Sequence, residues 1–286
     1  MRLLRRLAVL GCLICLAIVS YGVFIEPGRL VVRSLSVEVA AWPKSHQPLR
    51  IAFLTDLHVG APHIDLARLR EIVRRTNALK PDVVLLGGDY VIHEVLGGAF
   101  VAPVPIARAL AKLSAKHGVI AVLGNHDWWH DGHAIRRSFE GVGVKVLDNQ
   151  ALAIRHGGQT IWIAGIADDL TRNPDPAGVF SQITGADPVI VLMHDPATFP
   201  EIPKRAAMIF AGHMHGGQVY IPFLGAPITP GRAPSRHAYG LIRENGRTMY
   251  VGAGIGTSII PIRLNMPPEI AIVTVGVNSS KQTQRR

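Results

Sequence analysis

The sequence predicts an α/β protein with a mixed sheet, preceded by one apolar helix. Three observations support this fold class. Five short apolar runs have the length and composition of buried β-strands: residues 51–54, 83–86, 119–123, 189–193 and 208–211. Segments of helical periodicity separate the first of these runs, whereas the second half of the chain is rich in short strands. Finally, residues 7–25 contain no charged side chain.

Residues 7–25 form an apolar segment of 19 residues, close to the ~20 that a helix needs to cross a bilayer. A secretory signal typically has an apolar region of only about 7–15 residues. We therefore favour an uncleaved signal anchor over a cleaved signal. Arg2, Arg5 and Arg6 precede the segment, and the positive-inside rule keeps them cytoplasmic. The sequence thus predicts a single-pass protein of the inner or plasma membrane with an extracytoplasmic (periplasmic) domain.

Three further segments are predicted to be helices: residues 65–80, 105–116 and 130–140. In the first, apolar residues recur at helical spacing, Asp65 can cap the amino end, and Pro81 ends the helix. The other two end at Gly118 and Gly141. Two glycine-containing pairs predict hairpin turns in the second half: Gly157-Gly158 and Asn245-Gly246. The predicted order is βαβαβαβ followed by a β-rich half.

Each strand-like run is followed by a short polar cluster. The clusters are Asp56-Leu57-His58, Gly88-Asp89, Gly124-Asn125-His126-Asp127, Met193-His194-Asp195 and Gly212-His213-Met214-His215. Loops that leave the carboxyl ends of strands line one edge of an α/β sheet, so we expect these side chains to meet there. Asp, Asn and His donors without a thiolate suit divalent metals such as Mn, Fe or Zn. The sequence therefore predicts a metal-dependent hydrolase.

The number and spacing of the donors favour two metal ions over one. Asp56 and His58 lie two residues apart, so on an extended strand end they face the same side. His213 and His215 repeat this spacing. Seven side chains are candidate ligands: Asp56, His58, Asp89, Asn125, His194, His213 and His215. Seven donors exceed one tetrahedral site but suffice for two ions that share a carboxylate.

The ordered set of clusters resembles the calcineurin-like metallophosphoesterases, and within them the membrane-associated bacterial phosphodiesterases. The family elements D-x-H, G-D, G-N-H-[DE], H and G-H-x-H all occur in order from Asp56 to His215. The resemblance covers roughly residues 48 to 275. It implies a four-layer α-β-β-α sandwich with two mixed sheets.

The resemblance also implies roles for individual residues. The first metal would be held by Asp56, His58 and His215, with Asp89 bridging to a second metal that Asn125, His194 and His213 complete. A hydroxide that bridges the two ions would attack phosphorus. His126 would protonate the leaving oxygen, and Asp127 would orient His126. Phosphoprotein phosphatases follow the G-D element with Asp and Arg, whereas Tyr90, Val91 and Ile92 stand here. This departure argues against protein phosphatase activity.

The implied reaction is hydrolysis of a phosphodiester or a lipid-linked pyrophosphate. A UDP-2,3-diacylglucosamine-type precursor of lipid A is one candidate substrate, although such a precursor is cytoplasmic. Phosphomonoester hydrolysis, or nuclease activity on small soluble substrates, remains an alternative. A non-catalytic metal-binding scaffold protein is a further alternative. Such a protein would be expected to lack one of the metal ligands or the acid that protonates the leaving group.

Net charge and composition limit the alternative functions and partners. The 286-residue chain has a net charge of +10, with 48% hydrophobic and 17% charged residues, which is typical of a globular protein. The positive charge is partly terminal and forms no basic stripe interleaved with aromatics, so nucleic acid is disfavoured as a partner. A phospholipid-type or other phosphate ester at the membrane is favoured. The predicted division is an anchor at 1–29, a linker at 30–47, the catalytic domain at 48–275 and a polar basic tail at 276–286.

Overall fold

The computed structural model describes residues 1–276, and residues 277–286 of the predicted basic tail lie outside the described residues. Two six-stranded sheets form the centre of the domain. The first has the order β1 (Val31–Val37), β12 (Glu269–Val275), β2 (Leu49–Leu54), β3 (Val83–Leu86), β4 (Val119–Ala121) and β5 (Lys145–Val146). The second has the order β10 (Gly240–Glu244), β11 (Arg247–Val251), β9 (Ala206–Ala211), β8 (Val189–Leu192), β7 (Gln159–Gly165) and β6 (Gln150–His156).

Both sheets are mixed. In the first sheet every pair is parallel except β12 with β2. In the second sheet the central pairs are parallel, and the two outer pairs, β10 with β11 and β6 with β7, are antiparallel hairpins. Both hairpins turn at the predicted glycine-containing pairs. The predicted four-layer sandwich of two mixed sheets is therefore confirmed.

The layers follow from the alternation of side chains along each strand, because neighbouring residues face opposite sides of a sheet. Ile51 and Phe53 of β2 pack between the sheets, where the Phe53 ring lies 5.3 Å from that of Phe210. Ala52 and Leu54 face the opposite side and pack against the outer helices. Those helices are α2 (Leu66–Ala78), α3 (Pro103–Leu110) and α4 (Asn125–Glu140), whereas the short α5 (Pro176–Ser181) covers the second sheet.

Two helices differ from their predicted limits. Helix α3 ends at Leu110, before the predicted residue 116, because Asn77 captures the chain that follows: its Nδ2 donates to the Lys112 carbonyl and its Oδ1 accepts from the Ser114 amide, both at 2.8 Å. Helix α4 begins at Asn125, directly after β4, and contains a non-helical residue at Asp131. The predicted start at residue 130 lies beside this kink.

The segment that we predicted to be a linker contributes a strand to the first sheet. Within residues 30–47, β1 pairs in parallel with β12 from Val31 to Val37. Its amide and carbonyl groups complete the hydrogen bonding of a strand that would otherwise be the sheet edge. The strand is defined by this tertiary pairing, which the sequence of residues 31–37 does not reveal by itself.

Helix α1 (Arg2–Phe24) is the one helix in the described part of the chain that is long and apolar enough to cross a membrane. Most of it is exposed, and only its carboxyl end contacts the domain. There the Gly22 carbonyl accepts a hydrogen bond from the Arg263 amide at 2.9 Å. The buried Glu26 carboxylate accepts one from the Met266 amide at 2.7 Å. These contacts fix the point at which the helix leaves the domain.

The β1–β12 junction contains a buried carboxylate. Glu269 begins β12 and is 4% exposed. It pairs with Arg33 of β1 at 3.0 Å and accepts hydrogen bonds from the Tyr239 and Tyr250 hydroxyls. Removal of this carboxylate would leave buried donors without an acceptor.

We expect Glu269→Ala to lower the free energy of unfolding by about 2–4 kcal/mol, since buried donors lose their acceptor. The matched control is Glu140→Ala, which removes the exposed pair with Arg136 and should cost only about 0.3–0.5 kcal/mol. Urea unfolding of the full chain in detergent, followed by circular dichroism, measures both. Equal losses would contradict the role of Glu269.

Candidate metal centre

The five polar clusters meet at one edge of the sandwich. They follow β2, β3, β4, β8 and β9, whose carboxyl ends lie at that edge. All seven predicted ligands are buried, with at most 4% of any residue exposed. Their donor atoms form overlapping groups: Asp56 with His58 and His215, His58 with Asp89 and His126, and Asp89 with His194 and His213. Asn125 joins the last group, because its Oδ1 lies 3.1 Å from His194 Nε2.

The first group is formed by two polar clusters distant in sequence. Nε2 of His215 lies 3.4 Å from Oδ1 of Asp56 and 3.2 Å from Nε2 of His58. The Thr55 hydroxyl donates to Oδ2 of Asp56 at 2.8 Å. The backbone amide of His213 donates to Oδ1 of the same carboxylate at 3.0 Å. These bonds hold the Asp56 carboxylate in place beside the two imidazoles.

Asp89 lies between the groups. Its Oδ1 accepts a hydrogen bond from the backbone amide of His126 at 2.9 Å. Its Oδ2 lies 3.5 Å from Nε2 of His58 and 3.3 Å from Nε2 of His194. One oxygen is thus fixed by the backbone, while the other faces a histidine from each group. A bridging carboxylate would need this position.

The second group contains a histidine whose orientation is set by the backbone. Nδ1 of His194 lies 2.7 Å from the Gly87 carbonyl and donates to it, so Nε2 is directed at Asn125 and Asp89. Metal-binding histidines are commonly oriented by such a bond from the second ring nitrogen. Nε2 of His213 lies 3.8 Å from Oδ2 of Asp195, and neither atom has a hydrogen-bond partner.

The backbone conformation of the ligands differs from the extended conformation that we predicted from their spacing. We expected Asp56 and His58, and His213 and His215, to share a side because their strand ends are extended. Instead, all four have left-handed backbones, with φ between 41° and 67°, as does Asp89 at 56°. Such conformations are uncommon outside glycine and cluster at functional sites. The residues converge because each chain turns sharply as it leaves its strand.

The donors fit divalent cations. The Nε2 atoms of His58, His194 and His215 each lie within 3.5 Å of a carboxylate oxygen of Asp56 or Asp89, and such nitrogen and oxygen atoms are donors for a divalent cation. Burial lowers the pKa of His58 and of His213 to about 3, which keeps both imidazoles neutral and able to bind a metal. Burial raises the pKa of Asp56 to about 7. Burial also opposes ionisation of Asp89, but the neighbouring histidines outweigh it and hold its pKa well below the usual value. Cations would compensate the buried carboxylates and coordinate the neutral imidazoles.

Asp127 makes different contacts from those that the family resemblance implied. Its carboxylate accepts hydrogen bonds from the backbone amides of Asp89 and Tyr90, both at 2.8 Å, and of Gly124 at 3.0 Å. These bonds leave Nδ1 of His126 without a partner. Asp127 therefore fixes the Asp89 turn and the start of α4, whereas a direct bond to the His126 ring is not formed.

The structure adds residues outside the five polar clusters. Arg263 is fully buried, donates to the Gly256 and Met266 carbonyls, and has a pKa lowered to about 10 by burial. Asp168 is buried with Oδ1 unpartnered, and burial raises the pKa of its carboxyl. The Trp129 ring lies 5.0 Å from that of His126. Neither Arg263 nor Asp168 belongs to a motif, although Asp168 follows β7 closely.

Comparison with known proteins agrees with this geometry. A family model described as calcineurin-like phosphoesterase matches residues 49–217, a range that includes every predicted ligand. The chain is 28% identical over 262 residues to the uncharacterized metallophosphoesterase YkuE of Bacillus subtilis, covering 90% of this chain and 89% of that protein.

Two other relatives have named activities. Phosphodiesterase YaeI of Escherichia coli is 29% identical over 261 residues, which cover 89% of this chain and 91% of that protein. The UDP-2,3-diacylglucosamine pyrophosphatase LpxG of Chlamydia trachomatis is 26% identical over 302 residues, which cover 87% and 90%, respectively.

We expect Asp89→Asn to lose bound metal and to lower activity by more than about 100-fold, beyond the ~10–100-fold typical of residues that only orient ligands. An amide bridges two cations poorly because it carries no charge. Metal content by mass spectrometry of the purified protein and turnover of bis-p-nitrophenyl phosphate with Mn²⁺ measure both effects.

The matched control is Asp65→Asn, because Asp65 caps α2 through the Arg68 amide and asparagine caps a helix equally well. It should keep full metal content and activity. Near-normal turnover with full metal content in Asp89→Asn would rule out a bridging role for Asp89.

Proposed function

The chain belongs to the calcineurin-like phosphoesterases and is a hydrolase of phosphoric esters, and from this premise we propose that it cleaves a phosphodiester or a lipid-linked pyrophosphate at a membrane surface. The family uses two metal ions in one centre. The observation that carries the proposal is the position of Asp89 Oδ2, which lies within 3.5 Å of a histidine from each donor group.

We assign the ligands by these groups. Asp56, His58 and His215 would hold the first ion, Asn125, His194 and His213 the second, and Asp89 both. When bound, two divalent ions (Mn, Fe or Zn) would lower the pKa of a water molecule and neutralise phosphoryl oxygens. The protein supplies the rigid setting, since Thr55 and Gly87 fix the orientations of Asp56 and His194.

His126 is our candidate for the acid that protonates the leaving oxygen. Its Nε2 lies 3.9 Å from Oδ2 of Asp89, and its backbone amide is held by the other oxygen of that carboxylate. The rings of Trp129 and His93, at 5.0 and 6.0 Å, flank the imidazole. Burial lowers the pKa of His126, whereas the charge of Asp89 raises it. An anionic phosphate beside the ring would also favour the protonated form.

A membrane-borne substrate is supported by the anchor and by one relative. Helix α1 is long enough to cross a bilayer, and its carboxyl end is fixed to the domain by Gly22 and Glu26. Anchoring raises the effective concentration of the domain for substrates in the same membrane. LpxG cleaves UDP-2,3-diacylglucosamine, as its name states. The arginines before the helix favour an extracytoplasmic domain, where envelope phosphodiesters and lipid-linked pyrophosphates are the accessible esters.

We expect His126→Ala to keep both metal ions and to slow esters with alkoxide leaving groups by about 10²–10⁴-fold, the range of general-acid catalysis. Activated p-nitrophenyl esters should lose less than about tenfold, because a phenolate of low pKa barely needs protonation. The control is His133→Ala, an exposed histidine on the same helix. Equal losses on both ester types, or lost metal, would show that His126 has another role.

We also expect the full chain in vesicles to hydrolyse a lipid ester of the same vesicles faster than a soluble diester at equal total concentration. The panel comprises phosphatidylglycerol, a lipid-linked pyrophosphate, UDP-2,3-diacylglucosamine, bis-p-nitrophenyl phosphate, p-nitrophenyl phosphate and single-stranded DNA. A reporter fused after Arg286 gives the side of the membrane. Preference for the soluble esters or for DNA would contradict the membrane-borne substrate.

A further inference from the structure

Three stretches of the described chain carry large exposed apolar side chains and no charge. They are residues 95–107, 219–231 and 251–262. Six of their large apolar side chains are at least 54% exposed and are called here the apolar rim: Leu96, Phe223, Leu224, Ile228, Ile259 and Ile260. Phe223 is fully exposed and Ile228 is 80% exposed. Scattered apolar residues are normal on a surface, whereas a group of this size indicates an interaction site.

The three stretches are joined to each other by hydrogen bonds. The Leu96 amide donates to the Ile259 carbonyl at 2.9 Å. Nε2 of Gln218, directly before the second stretch, lies 3.2 Å from the Ser258 and Ile260 carbonyls of the third. The rim therefore belongs to one continuous surface, not to separate loops.

This surface is continuous with the end of α1. The Arg263 amide, directly after the third stretch, donates to the Gly22 carbonyl. A Cβ atom added at Gly22 would lie 3.1 Å from the Ile262 side chain, so helix and loop are in direct contact. Phe24 and Ile25 at the helix end are themselves exposed. A bilayer that holds α1 would consequently meet the surface to which the rim belongs.

The same stretches lead into the metal centre. The Gly256 amide donates to the Asp56 carbonyl at 2.7 Å. A Cβ atom added at Gly231 would lie 2.8 Å from Nε2 of His213, so the second stretch ends against that imidazole. The Ala99 amide donates to the carbonyl of Gly60, which follows His58 closely. Each uncharged stretch is thus anchored beside a candidate ligand.

We propose that the apolar rim inserts into the interfacial layer of the bilayer that α1 crosses, so that the metal centre opens toward lipid headgroups. The inference rests on the proposed membrane anchor, and it adds that the substrate reaches the metal centre from the headgroup layer. A bilayer is the occupant that fits, because the rim continues from a membrane-length helix and lacks charge. Exposed Arg29 lies close to the end of α1, and exposed Arg232, which pairs with Asp169, directly follows the second stretch. Long basic side chains at such positions can reach phosphate headgroups.

The depth to which position 223 enters the bilayer tests the proposal directly. Full chain carrying Cys12→Ser, Cys15→Ser and Phe223→Cys is labelled with an environment-sensitive fluorophore and reconstituted into vesicles of phosphatidylethanolamine and phosphatidylglycerol. We expect blue-shifted emission and quenching by lipids with a quencher on the acyl chain. The control is Lys145→Cys, an exposed position at the amino end of β5, opposite the strand ends that carry the metal centre. Equal emission and equal quenching at the two positions would overturn the proposal.

A second variant links the rim to turnover. The triple substitution Phe223→Ser, Leu224→Ser and Ile228→Ser keeps α1 and every candidate ligand. We expect hydrolysis of a vesicle-borne lipid ester to fall by about tenfold or more, since interfacial binding scales with buried apolar area. Hydrolysis of bis-p-nitrophenyl phosphate should be unchanged.

The outcomes that would contradict the role of the rim can be distinguished from those that would contradict the proposed function. If wild-type protein cleaves bis-p-nitrophenyl phosphate but no lipid ester, the proposed substrate is wrong, while quenching at Phe223→Cys still decides the rim. If the triple variant cleaves both substrates at wild-type rates, or loses both equally, the rim has no role at the interface.

Discussion

The geometry of the candidate metal centre depends on the burial of charge at one edge of the two sheets. Asp89 lies among imidazoles with almost no exposure to solvent, and its second oxygen has only histidine nitrogens around it. A buried carboxylate is costly unless cations neutralise and coordinate it. The neighbouring architecture serves this arrangement: strand ends deliver the donors, and backbone amides and carbonyls fix their orientation. The loops around the centre are shaped by the same requirement.

Much of this could be predicted from the sequence. Apolar runs followed by Asp, Asn and His identified the strands and brought all seven candidate ligands to one edge. The four-layer sandwich followed from the family resemblance, because periodicity alone does not reveal how two sheets stack. Strand β1 was missed since only tertiary pairing with β12 makes residues 31–37 a strand. The contacts of Asp127 were also missed, because backbone amides leave no trace in a motif.

Residues outside the motifs define what surrounds the chemistry. Arg263 links helix α1 to the candidate metal centre. Its backbone amide contacts the carboxyl end of α1, while its guanidinium holds the Gly256 turn beside Asp56. Sequence patterns gave no reason to single it out, since an isolated arginine is usually a surface residue. Its burial shows that the membrane-length helix and the candidate metal centre share one structural support. The orientation of one therefore constrains the other.

The left-handed backbone at Asp56, His58, Asp89, His213 and His215 has a consequence for how the protein can evolve. Glycine adopts this conformation freely, whereas the aspartate and histidine ligands at these five positions are strained there. Substitution of these positions by glycine would relieve backbone strain as it removed the ligand. Selection for stability alone would then favour substitutions that abolish activity, as expected of a stability–function trade-off. Relatives that have lost catalysis should accumulate glycine at these five positions first.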